Sequence, residues 1–566
     1  MKKIIIFSFI WFILNLFQAY FTEIIDDEAY YWVFSRTLDW GYFDHPPMIA
    51  LLIRAGTTLF PGELGVRFFP SLLGAGTVFI ILFMLRDRVH DTGFLIVALF
   101  SVPLLHFHVA GPFALPDLAL LFFVSLFFLL YRNYLEHDTP VNAILLGFAV
   151  ALMLYSKYHA LLVISLTLAA NPGILRRKSS WGVALIALVL FLPHILWQVK
   201  QDFVSFRYHL IERNRCFQPI HILNYVISQL VLVGPFAGIL LFYLAVWYRT
   251  RDPFDKVLKF NFVGGFFFFL LMSVRGHVEP HWTAVAFVPM LLLSAPLMID
   301  NAKSRRWILI LSLAGLPVII ICRLILFVEI PFLPEKINNR FFHKEEACKT
   351  IREAADGRPV VFTNSYQQAS LYMFFTGDTA FSHNNKYYRK NQYDLMNLES
   401  GLQGRKVLYF PKPSFPGCDS LRVNGENIGV HQTDFFCFFN RVRVKWQDPE
   451  RELHAGEEVE AVLLLENPTA KVIQFYDSCT FRPWLVHSWF SNNGDHVAYR
   501  AGYHSHLPEL TPGDIMEFPV TFRIPDSPGK YRLMFSFGAK NIPAGINGRP
   551  YRVTVRDRSK MNSEKN

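Results

Sequence analysis

Eleven stretches of the chain are apolar enough to form membrane-spanning helices, and they constrain its fold more than any other feature. Roughly 20 helical residues cross about 30 Å of hydrocarbon, where backbone groups must bond within their own helix. The fifth and sixth stretches are short and are separated only by "SKYH", so a re-entrant hairpin is an alternative for that pair. The chain is therefore predicted to be a polytopic α-helical membrane protein with about eleven transmembrane helices. The stretches lie near residues 4–22, 66–85, 92–110, 114–131, 142–156, 159–171, 181–199, 223–247, 257–274, 282–300 and 307–328.

The composition excludes an ordinary soluble enzyme. Hydrophobic residues make up 52% of the 566 residues and charged residues only 18%. The net charge of +10 would indicate nucleic-acid binding in a soluble protein, but here the basic residues lie in short clusters between apolar runs. Such clusters are typical of orientation signals, so we expect no nucleic-acid partner. No GxGxxG, P-loop or HExxH motif occurs, which argues against a soluble nucleotide as the donor.

The Lys and Arg clusters predict an orientation. With Lys2 and Lys3 in the cytoplasm, every second connection carries the basic residues that the positive-inside rule places there. We therefore expect a bacterial inner-membrane protein with a cytoplasmic N-terminus, and with everything after about Glu329 outside the cytoplasm. Ionisable residues collect on the predicted outer face, which indicates a site for an anionic ligand or, alternatively, a surface of solvated loops. They are Asp26, Asp27, Glu28, Asp44, His45, Lys157, His159, Arg207, His209, Arg213, Arg215, Arg275, His277 and His281.

Beyond a transmembrane domain at residues 1–330, the composition becomes that of a globular protein. Residues 331–439 alternate helix-like and β runs, such as "HKEEACKTIREAA" and "PVVFT", which predicts a small α/β domain. Residues 440–556 contain alternating runs separated by Pro, Gly and Asn turns, which is the pattern of an immunoglobulin-like β-sandwich. Both domains are predicted to be periplasmic. Residues 557–566 are predicted to form a disordered tail.

Three consecutive carboxylates, Asp26, Asp27 and Glu28, follow the first apolar stretch. A carboxylate at the outer surface can take the proton from an acceptor hydroxyl as that oxygen attacks the anomeric carbon of a sugar. A lipid phosphate leaving group needs no general acid, but it needs positive charge to hold it as it departs. Asp27 is the candidate base, and Glu28 is expected to position the base or the acceptor. The alternative is that the three acids cap an interfacial helix.

Residues in four other segments are candidates for binding the phosphate and the sugar. They are Asp44, His45, Lys157, His209, Arg213, Arg275, His277 and His281. His209 and Arg213 are four residues apart and would share a helix face, where they could grip a phosphate or form an ordinary surface pair with Glu212. The alternative role of Asp44 is to cap a turn. The alternative for Lys157 is that its long side chain extends its charge to the membrane interface. No cofactor is certain, and a divalent metal on Asp44, His209 and His281 is left open.

Several sequence fragments resemble the GT-C glycosyltransferases, the superfamily of the protein O-mannosyltransferases and the bacterial aminoarabinose lipid A transferases. "DEAYYW", "LDWGYFDHPPMIALL" and "LGVRFFPSLLGA" resemble the first outer loop and second helix of these enzymes. The resemblance continues in the same order over about residues 1–330 in "ALPDLALLFFVSLFFLLYRNYL", "SKYHALL", "PHILWQVKQDFVSFRYHLIER" and "RGHVEPHWTAVAFVP". Each fragment is only moderately specific, but the set occurs in the right order.

The resemblance implies an extracytoplasmic active site, a polyprenyl-phosphate-linked sugar donor and inversion at the anomeric carbon. It also implies that Asp27 is the catalytic aspartate, and that His209 and Arg213 correspond to a His and an Arg of the aminoarabinose enzymes. Those enzymes have Glu-Lys-Pro-Pro where this chain has "DHPP" at residues 44–47. A phosphate contact at His45 would therefore be only partly charged at neutral pH.

Together, the residues and the resemblance predict an inverting glycosyltransferase. It would move a sugar from an undecaprenyl-phosphate-linked donor to a hydroxyl or phosphate of a periplasmic acceptor, which could be lipid A, another glycan or a protein. Membrane lipids are expected partners, and the C-terminal domains are expected to cover the site or engage the acceptor. One rival is a lipid-linked-sugar transporter or flippase, which would need polar groups at the bilayer midplane. The other is a non-catalytic glycan-binding membrane protein, which would leave the acidic first loop unexplained.

Overall fold

The computed structural model of the 566-residue chain describes two compact units, Met1–Lys344 and Glu345–Asn566. The described residues are 1–86, 93–94, 96–97, 102–212, 217–234, 236–331, 338–339, 341–475, 483–491, 495–502, 507, 509–539 and 541–557. The predicted tail at 557–566 lies outside the described residues except for its first one.

Among its described residues, the first unit contains helices joined by short connections and no strand. Its α-helices are α1 Lys2–Phe21, α2 Asp26–Arg36, α3 Met48–Leu59, α4 Gly62–Leu85, α5 Pro116–Glu136, α6 Pro140–Ser156, α7 Ala160–Ala170, α8 Lys178–Lys200, α9 Val204–Arg207, α10 Pro219–Val233, α11 Ala237–Trp247, α12 Pro253–Arg275, α13 Phe287–Asp300 and α14 Ala302–Ile325. Shorter π-helical turns occur at Leu105–Val109 and Tyr208–Glu212, and 3-10 turns at Pro172–Arg176 and Pro280–Ala286.

Seven of the described helical segments are long and apolar enough to cross a membrane. They are α1, α4, α5, α8, α12, α14 and the segment Pro280–Met298. Helices α10 and α11 pass the same test together, although they are bent by 104°. The chain is thus a multi-pass membrane protein, as predicted. The predicted stretch at 92–110 lies largely outside the described residues, so the count of eleven helices stays a prediction.

The fifth and sixth predicted stretches form α6 and α7, with 17 and 11 residues. Helix α6 packs against α5 and α8, and α7 packs against α12. Only the Lys157–His159 turn separates the two helices. This turn brings two ionisable side chains to one end of the helical unit.

The apolar side chains of the first unit point both inward and outward. Helix α5 is buried along Leu118–Leu121, whereas α1 and α8 expose large side chains such as Phe9 (62%), Trp181 (65%) and Leu185 (60%). Lipid tails are as apolar as leucine, so an exposed apolar helix face is stable against hydrocarbon. This pattern fits a membrane-embedded bundle.

The first outer loop, between the helices α1 and α4, contains the two shorter helices α2 and α3. The acids Asp26, Asp27 and Glu28 form the first turn of α2, where the helix dipole favours negative charge. The rings of Phe34 and Tyr42 stack at 4.4 Å, so the chain after α2 folds back onto that helix. The loop is therefore a packed part of the unit.

The second unit begins with a five-stranded sheet in the order β2-β1-β3-β5-β4. Its strands are β1 Val360–Thr363, β2 Ala380–His383, β3 Val407–Phe410, β4 Asp419–Val423 and β5 Glu426–Thr433. The first three strands pair in parallel, and β5 runs antiparallel to β3. The helices α15 Lys344–Ala355 and α16 Tyr366–Thr376 precede β1 and β2. The parallel strands are buried along their whole length, as is usual for a sheet covered on both faces.

Two further sheets form a β-sandwich, in the orders β10-β9-β12-β13-β7 and β11-β8-β6. Their strands are β6 Arg443–Trp446, β7 Glu452–His454, β8 Glu458–Glu466, β9 Trp484–Ser491, β10 His496–Arg500, β11 Ile515–Arg523, β12 Gly529–Gly538 and β13 Tyr551–Arg556. Trp446 and Phe535 both pack edge-on against Phe522, at 5.5 and 5.3 Å between ring centroids, in the core between the sheets. The predicted fold class of the C-terminal region is confirmed.

Polar contacts join the α/β sheet to the sandwich within this single compact unit. Asn440 donates to the carbonyl of Asn384 at 2.9 Å, and Lys386 donates to Ser488 Oγ at 2.7 Å. These hydrogen bonds link the two sheets directly. The predicted division at residues 439 and 440 remains a prediction.

Candidate functional site

Glu28 and Arg67 form a buried ion pair with no exposed side-chain surface. Arg67 donates from Nε to Glu28 Oε1 at 2.8 Å and from Nη2 to Oε2 at 2.6 Å. Glu28 also accepts the backbone N–H groups of Ala114 at 2.6 Å and Ile25 at 3.1 Å. Four donors occupy the two oxygens, so this carboxylate links α2, α4 and the segment before α5. Such a saturated carboxylate suits positioning rather than proton transfer.

Arg67 also closes the C-terminal end of α1. Its Nη1 donates to the carbonyls of Ala19 at 2.9 Å and Thr22 at 2.5 Å, and its Nη2 donates to the carbonyl of Glu23 at 2.9 Å. The last carbonyls of a helix lack intrahelical partners, so a cation there satisfies them. The turn between α1 and α2 is therefore fixed from one side by Arg67.

Lys344 fixes the same turn from a point far along the chain. Its buried Nζ donates to the carbonyl of Ile24 at 2.8 Å and lies 3.7 Å from Asp26 Oδ1. Its backbone N–H donates to Glu23 Oε2 at 2.9 Å. Burial lowers the pKa of Lys344, while the neighbouring acids Asp26 and Glu23 oppose that shift. We call residues 22–28, held by Arg67 and Lys344, the clamped turn.

Asp27 lies near the end of the clamped turn and is exposed, unlike Glu28 beside it. The clamp thus fixes the backbone that carries Asp27 while the carboxylate reaches the surface of the unit. An accessible carboxylate on a rigid backbone meets the first geometric need of a general base.

Asp44 is buried and connects α2 to the segment that carries His209. The Tyr30 hydroxyl donates to Asp44 Oδ2 at 2.8 Å. His209 Nε2 lies 3.0 Å from the main-chain oxygen of Asp44, so this nitrogen must carry the hydrogen. The structure therefore brings together two of the predicted site residues, Asp44 and His209.

His45 lies next to Asp44 and is neutral. Its Nε2 is 3.3 Å from the Tyr31 hydroxyl, and its Nδ1 is buried. Burial and, to a smaller extent, the nearby charge of Lys157 lower the pKa of His45 to about 3, against the opposing effect of Asp44. A neutral imidazole cannot supply the positive charge that a departing phosphate needs.

Asp117, Lys157 and His281 form a second polar group near His45. Lys157 Nζ lies 2.8 and 2.9 Å from the two oxygens of Asp117, and both side chains are almost fully buried. His281 Nε2 lies 3.8 Å from Asp117 Oδ2, and the ring of His108 stacks on His281 at 5.1 Å. The charge of Lys157 is thus compensated by Asp117. We call these four residues, together with His45 and His159, the imidazole cluster.

A hydrogen-bonded network supports the segment before His209. Gln198 donates to Ser205 Oγ at 2.8 Å, and Ser205 donates to the carbonyl of Tyr42 at 3.1 Å. A Cβ at Gly41 would lie only 2.5 Å from the Trp197 ring, so only glycine permits this close approach. The segment after α8 is thereby anchored to the first outer loop.

Other predicted site residues lie apart from these groups. His277 is half exposed and lies 3.5 Å from Glu279, and Arg275 is exposed at the end of α12. Arg213 lies outside the described residues. Among the described residues, these polar groups therefore contain Asp44, His45, Lys157, His209 and His281. Arg275 and His277 do not belong to them.

The suggested metal ligands do not form a metal site in the described part of the chain. No group of three or more His, Cys, Asp or Glu side chains is arranged there to hold a metal ion. Asp44 meets His209 through its main-chain oxygen, and His281 instead approaches Asp117. We therefore assign no ion to Asp44, His209 and His281.

Comparisons with known proteins bear on the same segments. A family described as dolichyl-phosphate-mannose-protein mannosyltransferase matches residues 44–197. The crystal structure of ArnT from Cupriavidus metallidurans bound to undecaprenyl phosphate has the same fold, with a TM-score of 0.51 and 14% identity over 76% of this chain and 97% of that one. Lipid A galacturonosyltransferase RgtD from Rhizobium johnstonii is 26% identical over 288 residues. The chain is thus similar in sequence to a mannosyltransferase family and to RgtD, and similar in fold to ArnT.

The match to RgtD covers 47% of this chain and 59% of the relative. The chain thus spans less than two thirds of the length of that curated relative. The matched family segment includes the buried pair Asp117–Lys157 and the turn at Asp44.

Arg67, Tyr30 and His108 belong to these groups but were not among the predicted site residues. Arg67 was detectable, because an arginine at the start of an apolar stretch usually has a buried partner. No comparable signal marks Tyr30 or His108, since a tyrosine or a histidine near the interface is common.

Proposed function

We propose that this protein transfers a sugar from a polyprenyl-phosphate-linked donor to a hydroxyl or phosphate of an acceptor at the extracytoplasmic face of the bacterial inner membrane. The observation that carries the proposal is the clamped turn, where buried cations hold the backbone while Asp27 stays exposed. Asp27 is the proposed base, which takes the acceptor proton as the oxygen attacks the anomeric carbon. The bond from that carbon to the phosphate oxygen breaks, and polyprenyl phosphate leaves.

Glu28 has a positioning role in this proposal. Its four hydrogen-bond donors leave no free oxygen for an acceptor. It holds the first turn of α2 against α4, and so it orients Asp27 through the backbone.

The proposed orientation places the clamped turn, the imidazole cluster and the second unit outside the cytoplasm. The basic residues of alternate connections support this orientation. The descriptions of two similar proteins support the kind of substrate proposed. RgtD is a lipid A galacturonosyltransferase, and ArnT was crystallised with undecaprenyl phosphate. By analogy, we propose an undecaprenyl-phosphate-linked donor and a glycolipid, glycan or protein acceptor.

The test is acceptor-dependent release of polyprenyl phosphate from a labelled polyprenyl-phosphate-linked sugar by the full-length protein. A transferase releases the lipid phosphate only when an acceptor is present. A flippase moves the intact donor across the bilayer of a vesicle, and a glycan-binding protein leaves it unchanged. Transbilayer movement of intact donor without release would reject the transferase.

A further inference from the structure

The imidazole cluster gathers polar side chains from several separate segments of the first unit. The Asp117–Lys157 pair lies in its middle, with both side chains at most 7% exposed. His281 and His108 extend it on one side, with the rings parallel within 11°. His159 follows Lys157 by two residues, and its ring packs 5.3 Å from Trp282, the neighbour of His281. These contacts place three imidazoles around one buried ion pair.

His45 lies close enough to this pair to feel its charge. Lys157 and Asp117 act on the His45 ring in opposite directions, together with Asp44 and His209. The carboxylate of Asp117 receives Lys157 at both oxygens, so the pair carries no net charge. The cluster is therefore polar without being strongly cationic.

Three ring nitrogens of the cluster are buried without a hydrogen-bond partner among the described residues. They are Nδ1 of His45, of His108 and of His159. Buried polar atoms are almost always bonded, because an unbonded one loses its hydration without replacement. A hydrogen-bonding ligand or an ordered water would satisfy these nitrogens.

The chemistry of a neutral imidazole selects the kind of ligand. It offers one donor and one acceptor, as does a hydroxyl group, so the two groups complement each other. A phosphate has only acceptors at neutral pH and is bound best by Arg or Lys. The only Lys of the cluster, Lys157, is already bound to Asp117. This arrangement suits a polyhydroxylated ring better than a phosphate.

We propose that His45, His108 and His159, arranged around the Asp117–Lys157 pair, form a subsite that binds the hydroxyl groups of the transferred sugar, while the donor phosphate binds elsewhere. This subsite rests on the proposed function for its ligand. It changes the role expected for His45 and Lys157, from holding phosphate to holding and shaping the sugar site. It also adds His108, His159 and Asp117 to the substrate-binding residues.

The test compares lipids with and without a sugar. Full-length protein in nanodiscs is titrated with undecaprenyl phosphate and with the same lipid carrying mannose, galacturonic acid or 4-amino-4-deoxyarabinose. The wild type is expected to bind at least one sugar-bearing lipid more tightly than the bare lipid. His108→Phe keeps a ring stacked on His281, and His159→Phe keeps a ring beside Phe269 and Trp282, so both variants remove nitrogens with little change in packing.

Each variant is expected to lose about tenfold in affinity for the preferred sugar-bearing lipid, as one lost hydrogen bond of about 1.4 kcal/mol predicts. Affinity for bare undecaprenyl phosphate should stay unchanged. His221→Phe is the matched control, because His221 also has a buried, unbonded Nδ1 but lies on α10 beside His277. That variant should bind all four lipids as the wild type does.

Other outcomes overturn the subsite. Equal losses for the bare and sugar-bearing lipids would show that the imidazoles hold the phosphate, and no loss for any lipid would show that water alone occupies the cluster. A wild type that binds all four lipids equally would also reject it. If the sugar-specific loss appears but no acceptor-dependent release occurs, the subsite stands and the proposed transfer reaction fails.

Discussion

Arg67 Nη2 lies 2.6 Å from Glu28 Oε2, and neither side chain has any exposed surface. The pair joins residues 39 positions apart in the chain. It fixes α2 to α4 and leaves the neighbouring Asp27 exposed at the surface. The buried pair and the exposed acid are two consequences of one turn, since consecutive residues of a helix point in different directions.

Removing one partner of this pair should strongly destabilise the protein. Arg67→Met leaves the Glu28 carboxylate buried without its cation, which typically costs about 3–5 kcal/mol. Thermal unfolding of the purified variant in detergent should therefore begin at a clearly lower temperature. The matched control is Arg132→Met, because Arg132 forms an exposed pair with Glu136, and such pairs contribute about 0–1 kcal/mol.

The double variant Glu28→Gln/Arg67→Met separates charge burial from packing. It should recover part of the stability that Arg67→Met loses, since no unpaired charge remains. Equal unfolding temperatures for the wild type and Arg67→Met would contradict the buried ion pair.

Lys344 should control the mobility of the clamped turn. Lys344→Met removes the contacts of Nζ with Ile24 and Asp26, so backbone amides at residues 22–28 should exchange hydrogen faster. If the proposed base is correct, turnover should fall while donor affinity is kept. Lys344→Arg keeps the charge and should restore most of both properties. Unchanged exchange in Lys344→Met would show that Arg67 alone holds the turn.

His45 should make the stability of the protein depend on pH. An imidazole titrates near pH 6.5 when unfolded, whereas burial lowers the pKa of His45 to about 3 in the folded protein. Between these values the unfolded state binds the extra proton, so the contribution of His45 to stability is complete above pH 6.5 and is lost as the pH falls toward 3. The unfolding temperature of the wild type should therefore drop more between pH 7.5 and 5.5 than that of His45→Gln. Equal drops would contradict a neutral, buried His45.

The helices were predictable because each reflects a local property of the chain. The first apolar stretch was placed at 4–22 and forms Lys2–Phe21, since length and hydropathy alone decide a spanning helix. The alternation of β6, β8 and β11 was equally local, because side chains along a strand point alternately inward and outward. The 104° bend between α10 and α11 was missed, since both halves belong to one apolar run.

The site was less predictable because its contacts join distant segments. The sequence singled out Asp27 and Glu28 together, but it could not show that Arg67 and Ala114 would occupy Glu28 and leave Asp27 exposed. Likewise, the sequence could not show that Asp117 would pair with Lys157, which comes from another helix end. Pairings of this kind depend on how helices pack, which periodicity does not encode.

The central claim is that Asp27 removes the proton from the acceptor. Its most direct test is the turnover of Asp27→Asn beside that of Asp26→Asn, an equally small change at the adjacent residue, which lies 3.7 Å from Lys344. Acceptor-dependent release of polyprenyl phosphate should fall by about 10²–10⁴-fold in Asp27→Asn, with unchanged donor affinity, and only modestly in Asp26→Asn. Wild-type turnover in Asp27→Asn, or an equal loss in both variants, would contradict the claim.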